Sequence, residues 1–110
     1  MGFASTKTFY RPIVESCEEA DARGASSGQL RARTEQKIGK FLTADELAEL
    51  RKPTPGAKGN YFAWALADLV QYKFLSEPPQ YQLTEAGKRL AEYLRKNLSA
   101  HIDRGYLQRF

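Results

Sequence analysis

The order of helical and extended segments predicts a mainly α chain, a winged helix-turn-helix with a small two- or three-stranded β wing. The first observation is a helix over residues 60–75, around which the other segments are arranged. Its apolar residues share one face of the helix, and they are Phe62, Ala65, Leu66, Leu69 and Val70. The second is a turn at residues 76–80 between two short extended pieces, 74–75 and 81–83. The third is a last helix, which Thr84 caps.

The length of the chain predicts one domain, and its positive net charge permits an anionic partner. The chain has 110 residues, a net charge of +4 and a single cysteine, so no internal disulfide can form. No apolar run approaches the roughly 20 residues of a membrane span, and we expect a cytoplasmic protein without a membrane partner. We divide it into a flexible start (1–8), a winged helix domain (9–98) and a carboxyl-terminal extension (99–110).

Three helices are predicted before residue 60. The first covers residues 9–22 and carries a core face and an acidic face; the core face is Phe9, Ile13, Cys17 and Ala20. The second runs to about residue 41, with Leu30, Thr34, Ile38 and Phe41 inside and basic residues outside. The third is short and begins at the capping box of Thr43 and Glu46. We interpret Cys17 as a small buried hydrophobe.

In a winged helix-turn-helix, the helix before the wing enters DNA. Arg51, Lys52 and Lys58 lie in a loop just before that helix, where they either contact phosphate or only keep the surface soluble. Asn60 and Tyr61 stand at its leading end, where Asn60 either reads a base or is only the N-cap. The remaining DNA-binding candidates are Trp64, Gln71, Arg31 and Arg33, of which Trp64 is either a DNA contact or a packing residue.

Residues 9–94 resemble the amino-terminal winged-helix domain of Mrr-type restriction endonucleases, which act on modified DNA. The resemblance is carried by F-Y-R-P-I-V-E-S, L-T-A-D-E-L-A-E-L, W-A-L-A-D-L-V-Q-Y-K-F-L and Y-Q-L-T-E-A-G-K-R-L. It implies double-stranded DNA binding, with the helix from Asn60 as recognition helix. The chain departs from the family at Tyr61 and Ala63, where arginines are common, and in its acidic, proline-containing wing. No nuclease domain follows, so cleavage is not implied.

The sequence therefore predicts a DNA-binding domain, either a small regulator or the recognition module of a restriction-type system. The alternative is a protein-interaction winged helix that does not bind DNA. We expect no enzyme, no cofactor and no metal site, because the only histidine, His101, and the only cysteine, Cys17, form no catalytic or metal-ligand pattern.

The carboxyl-terminal segment predicts a homodimer. Its apolar residues exceed what one small domain needs to cover, and they are Leu94, Leu98, Ile102, Tyr106, Leu107 and Phe110. A two-fold interface is the commonest way to bury such a surface. The alternative is that the tail folds back on Phe9 and Ile13 of its own chain.

Overall fold

The computed structural model describes residues 7–20, 24–39, 43–45, 48, 61–78, 80–97, 102 and 104–109. Five helices lie within them: α1 (Lys7–Ala20), α2 (Ser27–Gly39), α3 (Tyr61–Gln71), α4 (Glu85–Lys96) and α5 (Arg104–Arg109). Residues 44, 45 and 48 are also helical, where the sequence predicts a short helix. The described chain is therefore mainly helical, and none of its helices has the length and apolar character needed to cross a membrane.

Helix α1 is the centre of the fold, because α2, α3 and α4 all pack against it. Its predicted core face is confirmed: Phe9, Ile13 and Cys17 are buried, and Ala20 is partly buried. The sequence did not predict that Tyr10, Val14 and Ser16 are buried as well. A helix that contacts three others keeps little surface for solvent, so α1, rather than α3, is the element around which the chain is arranged.

Helix α3 has the predicted buried stripe but ends earlier than predicted. Phe62, Ala65, Leu66 and Leu69 are buried and Val70 is partly buried, as the spacing predicts. The helix stops at Gln71 because Lys73 adopts a left-handed φ of 71°. The Lys73 amide then donates to the Val70 carbonyl at 3.1 Å, and the Phe74 amide donates to the Leu69 carbonyl at 2.9 Å. These two bonds form a helix end at which glycine usually takes the left-handed position. Because lysine takes that position here, the sequence does not indicate the end of the helix.

The predicted two- or three-stranded β wing is wrong, and with it the winged helix-turn-helix. The described residues contain no strand, only two isolated antiparallel bridges, Ala25 with Tyr81 and Leu75 with Leu83. Two backbone bonds form the Leu75–Leu83 bridge, from the Ser76 amide to the Gln82 carbonyl at 2.9 Å and from the Thr84 amide to the Phe74 carbonyl at 3.1 Å. The Ser76 hydroxyl donates to the Gln80 carbonyl and accepts from the Gln82 amide, in place of further backbone pairing.

The carboxyl-terminal segment adds to the same core. Ile102 and Leu107 are buried in one cluster with residues of α1 and α4. Tyr106 packs on Tyr93 with ring centroids 5.8 Å apart. Leu94 is also buried, while Leu98 and Phe110 lie outside the described residues. Three of the six residues of the predicted interface, Leu94, Ile102 and Leu107, are thus covered within one chain, and the homodimer stays a prediction.

Cys17 is buried on α1, and burial raises the pKa of its thiol to about 12, with a smaller opposite effect of Arg33. Because only the thiolate is nucleophilic, we expect the folded chain to resist thiol reagents at pH 8. A disulfide reagent added to native protein should release almost no chromophore, whereas protein in denaturant should react with one equivalent. Rapid reaction of the native chain would contradict the burial of Cys17.

Candidate nucleic-acid interface

The outward stripe of α3 consists of its exposed side chains, Ala63, Trp64, Ala67 and Gln71, and none of them is charged. The side chain of Trp64 is 40% exposed, a large value for an aromatic residue. The one charged residue of α3, Asp68, is buried and accepts a 2.6 Å hydrogen bond from the Tyr10 hydroxyl. The bond fixes the rotation of α3 about its axis, because Asp68 must face α1. The outward stripe therefore has a defined orientation.

An open cleft of about 410 Å³ runs along one side of this stripe, between α3 and the first turns of α2. The residues that line it are Ser27, Gly28, Arg31, Phe62, Ala63, Leu66, Ala67 and Tyr81. The side chain of Arg31 is 42% exposed and lies 3.3 Å from the Glu35 carboxylate one turn later. Arg31 is thus the cation that lines the cleft together with Ala63 and Ala67.

The start of α2 is fixed by a reciprocal pair of side-chain bonds. The Gln29 amide donates to the Ser26 hydroxyl at 3.2 Å, and the Ser26 amide donates to the Gln29 side-chain oxygen at 3.0 Å. This is a capping box, and it holds the positive end of the α2 dipole at the cleft. Tyr81 also lines the cleft. Burial chiefly, and the Glu77 charge in addition, raise the pKa of its phenol, which stays neutral.

The structure separates the two predicted arginines of α2. Arg33 lies on the α1 side, 3.7 Å from the Glu19 carboxylate, which also contacts Lys37 at 2.5 Å. A third ion pair joins Glu18 of α1 to Arg95 of α4 at 2.9 Å. Two carboxylates of the acidic face, Glu18 and Glu19, thus contact cations of neighbouring helices. Both arginines therefore have a carboxylate partner, but of the two only Arg31 lines the cleft beside the outward stripe.

Helix α5 lies near the carboxyl end of α3. The Gln108 side chain donates to the Tyr72 hydroxyl at 3.0 Å, and Tyr72 directly follows α3. Two exposed cations stand near this end, Lys73 after α3 and Arg109 after Gln108. The uncharged stripe therefore has Arg31 along one side and further cations at its far end.

Several predicted site residues lie outside the described part of the chain. These are Arg51, Lys52, Lys58 and Asn60, together with the side chain of Tyr61, whose backbone begins α3. Sequence reasoning missed Tyr81, which was placed in a wing strand, and the pair of Tyr10 and Asp68. A charged residue within the most apolar helix was the signal for that pair, but nothing in the sequence identified its partner. Among the described residues, no group of acidic, histidine or cysteine side chains could hold a metal ion.

No protein-family model, curated protein or solved structure matches the chain. The resemblance to the Mrr-type domain therefore stays a prediction. The class of site is accordingly defined by the chemistry of the residues alone, an uncharged helix face with cations at its borders.

Proposed function

We propose that this helical domain binds double-stranded DNA, with the outward stripe of α3 facing the major groove. The observation that carries the proposal is the position of Arg31 beside an exposed helix face that has no charge of its own. The major groove admits one α-helix, and its base edges lie between two rows of phosphates. An uncharged stripe bordered by cations matches that distribution of charge.

Phosphate contacts would supply most of the affinity, and the outward stripe would supply the surface that fits the major groove. Arg31 and the amino-terminal turn of α2 are suited to one phosphate row, because the guanidinium and the helix dipole are both positive there. The loop cations Arg51, Lys52 and Lys58 remain predicted phosphate contacts, since they lie in the segment between residue 50 and the start of α3. Asn60 remains the predicted base-reading residue.

As a biological role, we propose a small regulator or the DNA-recognition module of a restriction-type system in the cytoplasm. A net charge of +4 is consistent with a DNA partner. The proposed role is binding without catalysis. A homodimer would allow two copies of the chain to occupy adjacent half-sites on the DNA.

The test compares Arg31→Ala with Arg33→Ala in binding to a labelled duplex of random sequence, measured by anisotropy over a range of salt concentrations. The two variants remove the same charge from the same helix. We expect Arg31→Ala to weaken binding to all sequences and to reduce the salt slope by about one unit. Arg33→Ala is expected to change it little, because Arg33 lies on the α1 side of α2 and does not line the cleft along the outward stripe.

Two results would contradict the proposed DNA interface. One is equal loss of affinity in the two variants, since only general charge would then matter. The other is that the wild-type protein does not bind the duplex even at low salt.

A partner protein is the second candidate function, favoured by the exposure of Trp64 on α3. Tryptophan is enriched among the residues that dominate protein interfaces. The two functions differ in salt dependence, because docking through apolar contact responds weakly to salt whereas phosphate contact responds steeply.

A further inference from the structure

Lys73, just after α3, has a backbone conformation that suits glycine better than lysine. Its φ is 71°, and no other non-glycine residue in the described part of the chain has a positive φ. Its backbone is fixed, because its amide donates to the Val70 carbonyl at 3.1 Å and the Thr84 hydroxyl donates to its carbonyl at 2.5 Å. In this region a Cβ atom lies too close to the following carbonyl oxygen, a contact that glycine avoids. The backbone therefore gives no reason for a lysine here.

The Lys73 side chain makes no ion pair within the described residues. It is exposed, whereas the three cations of α2 each contact a carboxylate, and they are Arg31, Arg33 and Lys37. Arg109 of α5 is also exposed, and it too contacts no carboxylate in the part of the chain that the structure describes. The charges of Lys73 and Arg109 are thus available to an anion that is not part of the chain.

Helix α5 brings Arg109 to the end of α3 that carries Lys73. Leu107 is buried in the core, and the Gln108 side chain donates to the Tyr72 hydroxyl at 3.0 Å. Tyr72 directly precedes Lys73, and Gln108 directly precedes Arg109. This contact therefore holds the two cations at the carboxyl end of α3, and we call them the end cations.

We propose that the end cations, Lys73 and Arg109, bind backbone phosphate of duplex DNA at the carboxyl end of α3. This inference rests on the proposed function and adds a second phosphate contact to it. Arg31 lines the cleft beside Ala63 and Ala67, in the first half of α3, so the two contacts lie at different ends of one helix.

The length of α3 fits contacts at both ends. Its 11 residues span about 16 Å, and the major groove between the two rows of phosphates is about 12 Å wide. A helix that crosses the groove obliquely therefore has phosphate near each of its ends. The charge of Lys73 then accounts for a lysine at a position whose backbone favours glycine.

Lys73→Gly separates binding from stability. Glycine takes the left-handed backbone without the Cβ contact, so the urea midpoint should equal or exceed that of the parent. Binding to a labelled duplex of random sequence, measured by anisotropy, should lose about one unit of salt slope and roughly tenfold in affinity at about 0.1 M salt. Because the variant is no less stable, unfolding cannot explain that loss. Arg109→Ala should reduce the salt slope by about the same amount.

Two control variants distinguish the phosphate contact from other effects. Lys73→Arg keeps the charge and should keep the salt slope of the parent. Lys96→Ala removes an exposed cation that also contacts no carboxylate among the described residues. Lys96 ends α4 about 18 Å along the helix from Thr84, which contacts Lys73, so this variant should change the slope little.

Each outcome supports or overturns the contact. A parental salt slope in Lys73→Gly or in Arg109→Ala overturns it and leaves DNA binding by Arg31 in place. An equal reduction in Lys96→Ala overturns it as well, since only general charge would then matter. A reduction in Lys73→Arg as large as in Lys73→Gly overturns it too, because the charge would not be the cause. If the parent protein binds no duplex at any salt concentration, the proposed function fails together with this inference.

Discussion

Gly87→Ala is expected to lower the free energy of unfolding by about 3 kcal/mol or more, the range of severe overpacking. A Cβ atom at Gly87 would lie 2.1 Å from the carbonyl oxygen of Phe74 and 3.1 Å from a methyl group of Leu83. That carbonyl accepts the Thr84 amide at 3.1 Å, so it is held in place. Relief requires α4 to move away from the core, which would expose Leu90.

The control is Gly28→Ala, because a Cβ atom there meets nothing within 4 Å. Alanine is the better helix former by about 1 kcal/mol in a helix interior, so this variant should be as stable as the parent or slightly more stable. Urea unfolding followed by circular dichroism measures both variants. If Gly87→Ala unfolds at the parent's urea concentration, the close approach of α4 to Phe74 is wrong.

Ala67→Glu is expected to reduce affinity for duplex DNA at least about tenfold, because like charges brought together in an interface cost several kcal/mol. Ala67 is exposed, lies in the middle of the outward stripe and lines the cleft that Arg31 borders. A carboxylate there would face the phosphates and would also attract Arg31 away from them. Stability should change little, since the position is exposed.

Ala32→Glu makes the same substitution at an exposed position of α2 and serves as the matched control. It changes the net charge equally, so it measures the general effect of charge on DNA binding. Competition anisotropy at one low salt concentration compares the two variants. Equal affinity in both would remove the outward stripe from the interface.

The helices and their buried stripes were predictable because the spacing of apolar residues along the sequence indicates which side of a helix packs on the core. This held for Phe9, Ile13 and Cys17 of α1 and for Phe62, Leu66 and Leu69 of α3. The capping role of Thr84 was also predictable, and its hydroxyl accepts the Gly87 amide at 3.1 Å. These features depend on local sequence, which propensity and capping rules describe.

Features that depend on distant partners were not predictable. The wing was wrong because the Gln82 amide donates to the Ser76 hydroxyl and not to a backbone carbonyl, which ends the pairing after one bridge. The end of α3 was also missed, because a left-handed lysine at position 73 gives no signal in the sequence. The central position of α1 follows from contacts with three helices, which one helical stripe cannot reveal. For the same reason, the charge of Arg31 and Arg33 suggested a common role, although they face different neighbours.

The fluorescence of Trp64 tests the central claim, DNA binding through the outward stripe, most directly. The chain has a single tryptophan, so the signal comes from one side chain of the stripe. Acrylamide quenching would be measured with and without a saturating unlabelled duplex, because this neutral quencher is not repelled by DNA. The account predicts that bound duplex lowers the quenching slope, and that 0.5 M salt, on the order needed to displace phosphate contacts, restores it. An unchanged slope, at a concentration where anisotropy shows the duplex bound, would contradict it.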